Sequence, residues 1–529
     1  MNENNTRWIP VPENSTIVSQ NNNTEPKKQR RLLPFGKKDG IFAIIILILS
    51  LFTVDSVLFS GYNLGFSVSF LLITVVCALY CRSKNEAPTL FSLFCFLSAV
   101  LTGASFTVFN DSFVTFCGTV LILILFAAGL LDISKQNSYH STDERSIFDI
   151  FRFWFKLPFK KVGITLSSLF APKENKKSAG LGIIFAGIFS AVPLAMIVFA
   201  LLASSDAAFE AFIEKIIFTD SISEVISSII FGTGFFILFF SVIFSLAKKD
   251  AKTEPSKKSN GSLPSKAVTA FLSVISFVYI LYMVSQITYF FNAFWGILPE
   301  NFNYSNYARR GFFEMCIICF INLSIIVVTL STVKKNDKDS VPSSVKAVST
   351  FIAAFSFLLT VTAISKMFMY MDEHGLTRKR IITSVFMIVM LIVLIVTVLK
   401  IFLKKLPSVK IIITAIAVVG LVVCFTDIDT TVAKYNTEKY LSGEITTDAG
   451  YMYELSDSAV PYILEIAKSD TPLANDAKEY LKDRFVWYFS STVEQDELDF
   501  DLQEYNYSRQ RAKELLSVNR DIFYPLVKY

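Results

Sequence analysis

Long apolar runs, each broken by a short polar or charged connection, recur along the chain from about residue 40 to about residue 425. A bilayer core needs roughly 20 apolar residues per helix. The runs at 40–60, 63–81, 89–109, 112–131, 180–203, 225–247, 267–290, 311–333, 347–368, 381–403 and 409–426 meet that length, most of them without a charge at mid-span. The pattern predicts an all-α fold, a polytopic transmembrane helix bundle of about eleven spans. On either side of it the pattern changes. Residues 1–39 are polar and rich in Asn, ending in the cations Lys27, Lys28, Arg30, Arg31, Lys37 and Lys38. They read as a disordered basic tail, and no cleavable signal peptide begins the chain, because its apolar run would have to start much earlier. After residue 426 no spanning run remains. Helical patterns in DSAVPYILEIAKS, PLANDAKEYLKDRFVWYFSS and SRQRAKELLSVN predict a small helical extramembrane domain over 427–529.

Composition agrees with this reading. Of 529 residues 53% are hydrophobic and 18% charged, with a mean hydropathy of +0.50, where a soluble domain would carry about 25% charge. The seven cysteines all fall within apolar spans, so no disulfide framework is expected. Cys316 and Cys319 form a CxxC, but mid-helix and without a nearby histidine, which reads as core packing rather than a metal or redox pair. No cofactor and no metal is expected. The C-terminal domain has neither Cys nor His, and its run EQDELDFD reads as a solvated loop rather than a calcium site.

Charge assigns the sides. Lys and Arg concentrate on cytoplasmic loops, and the connection after the fourth run holds Lys135, Arg145, Arg152, Lys156, Lys160, Lys161, Lys173, Lys176 and Lys177. The connections after the sixth, eighth and tenth runs are basic too, whereas the one after the fifth carries Asp206, Glu210, Glu214, Asp220 and Glu224 against one lysine. These alternations place the N-terminus in the cytoplasm and the C-terminus outside. Within the first basic loop, SIFDIFRFWFKLPFKK sets Asp149, Arg152 and Lys156 on one stripe among aromatics, which predicts a short helix lying in the membrane interface.

Three blocks together resemble a family of bacterial multi-pass membrane proteins defined only as a domain of unknown function: NYARRGFFEMCIICFINL, SKMFMYMDEHGLTRKRIITSVFM, and DIDTTVAKYNTEKYLSGE followed by YMYELSDSAVPYILE. LLASSDAAF is similar to the family's Ser-Ala-Asp-type loop, with Ser205 where Ala is expected. The resemblance implies a membrane location and no reaction.

Function has to be argued from polar residues near the spans. On the topology above, Arg309, Arg310, Arg378, Lys379 and Arg380 lie at the outer end, against the usual bias. Glu314 stands one turn inside its run and needs a partner, with Arg310 four residues earlier. Gly311, Glu314, Ile318 and Asn322 share a helix face, as do Tyr282, Ser285, Gln286 and Tyr289, and as do Thr362, Ser365, Lys366 and Met369. Two readings remain open. In one, these groups are interhelical glue. In the other, Arg309, Arg310, Glu314, Asn322, Gln286, Tyr289, Lys366 and Arg378 line an outward-opening cavity for a small anionic molecule or lipid headgroup, with guanidinium forks as the recognition element. The corresponding functions are an anion-binding or anion-moving membrane protein, and a sensor or assembly scaffold whose C-terminal domain meets a protein partner. No nucleic-acid module and no enzyme motif is present; FGTGFF is a GxG fragment outside the strand-to-helix setting that phosphate binding requires.

Overall fold

The computed structural model describes residues 33–82, 87–140, 142–170, 220–248, 263–295, 312–336, 340–445, 449–489 and 503–524. The membrane portion comprises α1 (Lys37–Asp55), α2 (Leu64–Arg82), α3 (Leu90–Val108), α4 (Ser112–Ser134), α5 (Ile147–Phe151), α6 (Leu157–Phe170), α7 (Asp220–Ala247), α8 (Ser265–Trp295), α9 (Phe312–Thr332), α10 (Ser343–His374), α11 (Arg378–Phe402) and α12 (Ser408–Phe425). Beyond it follow α13 (Ile428–Leu441), α14 (Gly450–Tyr453), α15 (Val460–Ala467), α16 (Ala474–Phe489), α17 (Tyr507–Val518) and α18 (Arg520–Phe523). Among the described residues there is no strand, only a backbone bridge between Leu263 and Val333.

Ten of the described helices are long and apolar enough to cross a membrane. They coincide with ten of the apolar runs; the run at 180–203 lies outside the described residues, as do residues 1–32 and the EQDELDFD segment. The outer faces stay apolar: Ile48, Phe116, Val274 and Val422 are 60–67% exposed, as a hydrocarbon solvent allows and water would penalise.

Two groups of helices make up the bundle. α1 to α4, α6 and α7 share one core, in which Phe42, Phe126, Phe240 and Phe244 are buried. A second group, α8 to α11, packs through Leu272, Ile326, Ile352 and Leu394. α12 contacts α3 and α4 on one side and α11 on the other. Gly232 accounts for the first glycine of FGTGFF: a Cβ there would fall 2.9 Å from the Cα of Leu51, so the glycine lets α7 approach the backbone of α1.

The two ends of the bundle differ. One end carries Lys248, whose Nζ is 2.6 Å from the buried Asp39, which also accepts from Tyr80; there too Lys410 meets Asp132 at 2.5 Å. Leu33 and Phe35 are buried beside this end. At the end of the expected tail Leu33, Phe35 and Asp39 are buried while Pro34, Lys37 and Lys38 are exposed, because the first two supply apolar surface and Asp39 has a cation to meet. The expected stripe of the interface helix also divides. Asp149 turns inward and accepts from Ser138 and Tyr139, while the outward row is Phe148, Phe151, Phe155 and Phe159, 58–73% exposed. The opposite end carries the C-terminal helices. Their core continues into the spans through Val114 of α4 and Cys424 of α12.

Candidate functional site

Where the C-terminal helices meet the bundle, a charge network is buried. α10 ends in an EHGLTRKR turn whose conformation its own residues dictate. Gly375 has φ +74, a value that favours glycine, and the turn is fixed by Asn436 of α13, which accepts from Leu376 N and donates to Leu376 O, both at 2.8 Å. A Cβ on Gly375 would meet Asn436 Oδ1 at 2.7 Å. Thr377 then caps α11, and the cations that follow are assigned one by one. Arg378 donates from Nε to Asp429 Oδ1 at 2.9 Å and from Nη2 to Asp429 Oδ2 at 2.5 Å, the bidentate fork that only arginine provides. Lys379 reaches Glu454 at 2.6 Å on the surface. Arg380 donates to the carbonyls of His374 and Gly375 and lies 4.3 Å over the ring of Tyr370, closing the end of α10.

Asp429 is fully buried and also accepts from Ser456 N at 2.8 Å. On the other side of Arg378 stands Asp111, the N-cap of α4, whose Oδ1 accepts from Phe113 N and Val114 N. Its Oδ2 faces Arg378 Nε at 3.3 Å without an aligned hydrogen bond. One guanidinium thus serves two carboxylates. Burial, and then the charge of Asp429, push the carboxyl of Asp111 above its ordinary range, against the pull of Arg378 and the two backbone donors.

A second knot adjoins the first. Asp457 pairs with Arg484 and accepts from Tyr488 at 2.5 Å and from Asn110 at 2.8 Å. Burial and the neighbouring Asp457 push the Tyr488 hydroxyl up. Asn506 donates to the carbonyls of Phe106 and Phe109, and Ser508 to that of Val108. The turn from α3 to α4 is consequently held by Asn506 and Ser508 at the start of α17 and by Asp457, which α16 fixes in turn through Arg484 and Tyr488.

The sequence-predicted residues scatter over this frame. Arg378 sits in the network, turned toward the protein's own carboxylates. Asn322 is buried on α9, accepting from Tyr279 of α8 and donating to Ser356 of α10 at 2.8 Å. Three helices therefore do meet there, with Tyr279 and Ser356 as the polar partners rather than Ser285, Thr362 or Ser365, while Tyr282 packs its ring edge-on against Phe355 of α10. Tyr279 lies three residues before Tyr282, and Ser356 with Thr360 forms its own i, i+4 pair. Glu314 is exposed at the start of α9, and Lys366 is half-buried on α10. Gln286 and Tyr289 lie on α8, of which only the backbone is described there; Arg309 and Arg310 lie outside the described residues. Cys319 packs against Ser356 and Thr360, and all seven cysteines are free thiols. Sequence reasoning missed Asp111, Asp429 and Asp457 as partners. Their signal was the helix-start position of Asp111 and the acidic DIDTT segment next in the chain to the last span.

The model of the family described as Domain of unknown function (DUF4153) matches residues 70–466. The chain belongs to that family. No curated protein and no solved structure matches it. Two of the blocks by which this DUF4153 chain was likened to a family of unknown function are each other's contacts: HGLTRKR and DIDTTVAKYNTEK meet through Arg378 with Asp429 and Leu376 with Asn436. The DUF4153 region takes in Asp111, Arg378, Asp429 and Asp457, and ends before Arg484 and Asn506.

Proposed function

We propose that this chain is a non-enzymatic sensor or scaffold of the bacterial cell membrane, in which the C-terminal helices receive a protein partner outside the cell and the Arg378 network couples them to the bundle. One observation carries this reading: Arg378, the outer-end arginine expected to present its fork to an anion, has that fork filled by Asp429 and flanked by Asp111. A satisfied bidentate pair is a poor ligand site and a good joint, because parting it leaves buried charge behind. The joint links a domain of 20 acidic and 11 basic residues over 427–529 to the first turn of α4 and the first turn of α11. The alternation of basic connections supports an N-terminus in the cytoplasm and a C-terminal domain outside. The competing reading, an outward cavity for a small anion or lipid headgroup, rests on Arg309 and Arg310.

Thermal unfolding in detergent, with and without inorganic phosphate and glycerophosphate, separates the two. A coupling joint predicts no anion-specific rise in Tm and a loss of protection of the C-terminal helices in Arg378→Ala. An anion site predicts a rise that grows with anion concentration and disappears when Arg309 and Arg310 are both replaced by Ala, and that result would replace the coupling reading.

A further inference from the structure

Between α1, α2, α4 and α7 lies an apolar cavity of about 370 Å³. Phe126, Phe235 and Phe239 line it, with Phe66, Phe70 and Ile73 along α2, a length of roughly 10 Å at 1.5 Å per residue. Of its few polar groups, Thr53 donates to the Leu49 carbonyl, Thr119 to that of Thr115, and the Trp154 indole to that of Leu123, while Tyr62 lines it with its ring packed on Phe66 and Phe106. An apolar cavity of about 150 Å³ already stays dry and accepts benzene. A larger apolar space that opens within the hydrocarbon layer favours an apolar occupant over water.

Two features mark it as a built site. Among the described residues there are two π-helical turns, Ser56–Ser60 at the end of α1 and Arg152–Lys156 between α5 and α6. Both contribute to this cavity, the first through Val57 and Leu58 and the second through Trp154. A π turn costs regular hydrogen bonding and recurs where a helix has to re-aim side chains at a functional position. The cavity is also continuous with the lipid-facing surface, since Leu58, Leu123 and Phe231 line it and are 40–61% exposed. Near its rim, at the end of the bundle that bears the C-terminal helices, Ser228 donates to Asp55 at 2.6 Å. Trp154 and Phe126 close the other end, their rings 6.4 Å apart.

We infer that this cavity holds one acyl chain of a bilayer phospholipid, entering from the leaflet beside the C-terminal helices, with its terminal methyl group against Trp154. The occupant follows from the surroundings: the cavity opens sideways into hydrocarbon and is lined by aromatic and aliphatic groups. Dispersion contacts along the rings hold the chain, and the π turns set its mouth and its floor. This site is separate from the Arg378 network and does not depend on its role.

Trp154 reports on occupancy. The full chain, with Trp8, Trp295 and Trp487 replaced by Phe, is reconstituted in vesicles of phosphatidylcholine brominated near the terminal methyl, then exchanged into lipid-free detergent. A control protein carries Phe116→Trp as its single tryptophan, on the lipid-facing side of α4. A held chain predicts that quenching of Trp154 survives the exchange severalfold longer than quenching of the control, and that Thr119→Phe, which fills the cavity, abolishes the difference. Equal decay at both positions would overturn the inference, and so would unchanged retention in Thr119→Phe. If Thr119→Phe does not fold, the comparison of Trp154 with the control decides alone.

Discussion

Arg378 and Asp429, 51 residues apart in the chain, form a bidentate ion pair that joins the start of α11 to the first helix beyond the membrane spans. Asp429 is fully buried and the Arg378 side chain is 17% exposed. Taking either partner away therefore strands a charge in a poorly solvated place. Arg378→Ala should cost about 3–5 kcal/mol. Arg378→Ala with Asp429→Ala should cost less than the two single changes added together. Arg378→Lys should fall between, since an ammonium keeps the charge and loses the fork. Detergent unfolding of the parent and the four variants checks this; strict additivity would mean that the pair is not coupled.

The turn before Arg378 gives a second expectation. Gly375→Ala meets both a positive φ and the Asn436 amide oxygen, and Asn436→Ala leaves Leu376 without two hydrogen bonds. Each should lower stability by about 1–3 kcal/mol. The double variant should be less damaging than the sum, because removing the Asn436 side chain vacates the space that the Gly375→Ala methyl needs. Additive losses in unfolding midpoints would count against this contact.

Asp111 sets a pH dependence. Its carboxyl is pushed above the ordinary carboxylate value of 3.8, so the folded protein holds this proton more tightly than the unfolded chain does. The sign follows from linkage: below the ordinary value Asp111 exerts no penalty, and as pH rises through the raised value the penalty develops in full. Asp111→Asn retains a helix cap of similar quality and removes that titration. Its Tm should match or exceed the parent at neutral pH, and the gap between the two should close as pH falls toward 4. A variant whose Tm runs parallel to the parent at every pH would contradict the assignment.

Much of the bundle was legible in the chain because a spanning helix has one dominant requirement, length of apolar run, and single residues hardly disturb it. Helix periodicity also put Asn322 on the polar face of its span. It could not find Tyr279 and Ser356 as the partners of Asn322, because the rotation of each helix about its axis is set by side-chain packing across three helices, as the stacking of Tyr279 on Phe355 at 4.2 Å illustrates. The role of Arg378 was hidden for a different reason. A cation at a helix mouth looks alike whether it faces a ligand or a carboxylate, and Asp111 and Asp429 are brought to it from 267 positions before and 51 positions after only by the fold.

Sidedness has its own test. Val518 is 82% exposed and Leu403 52%, which makes them suitable cysteine positions at opposite ends of the bundle. In a background lacking the native thiols, Val518→Cys should react with an impermeant maleimide on intact cells and Leu403→Cys only after permeabilisation. The reverse pattern would invert the orientation.

The most direct measurement of the coupling claim is amide hydrogen exchange on the full chain in detergent, comparing the parent with Arg378→Ala. If the network joins the C-terminal helices to the bundle, the variant should lose protection together in three places, the first turn of α4 at 112–116, α13 at 428–441 and the 455–459 segment, while α2 and α10 keep theirs. Unchanged exchange in α13 and at the start of α4 would contradict it, and would leave Arg378 and Asp429 as an isolated pair.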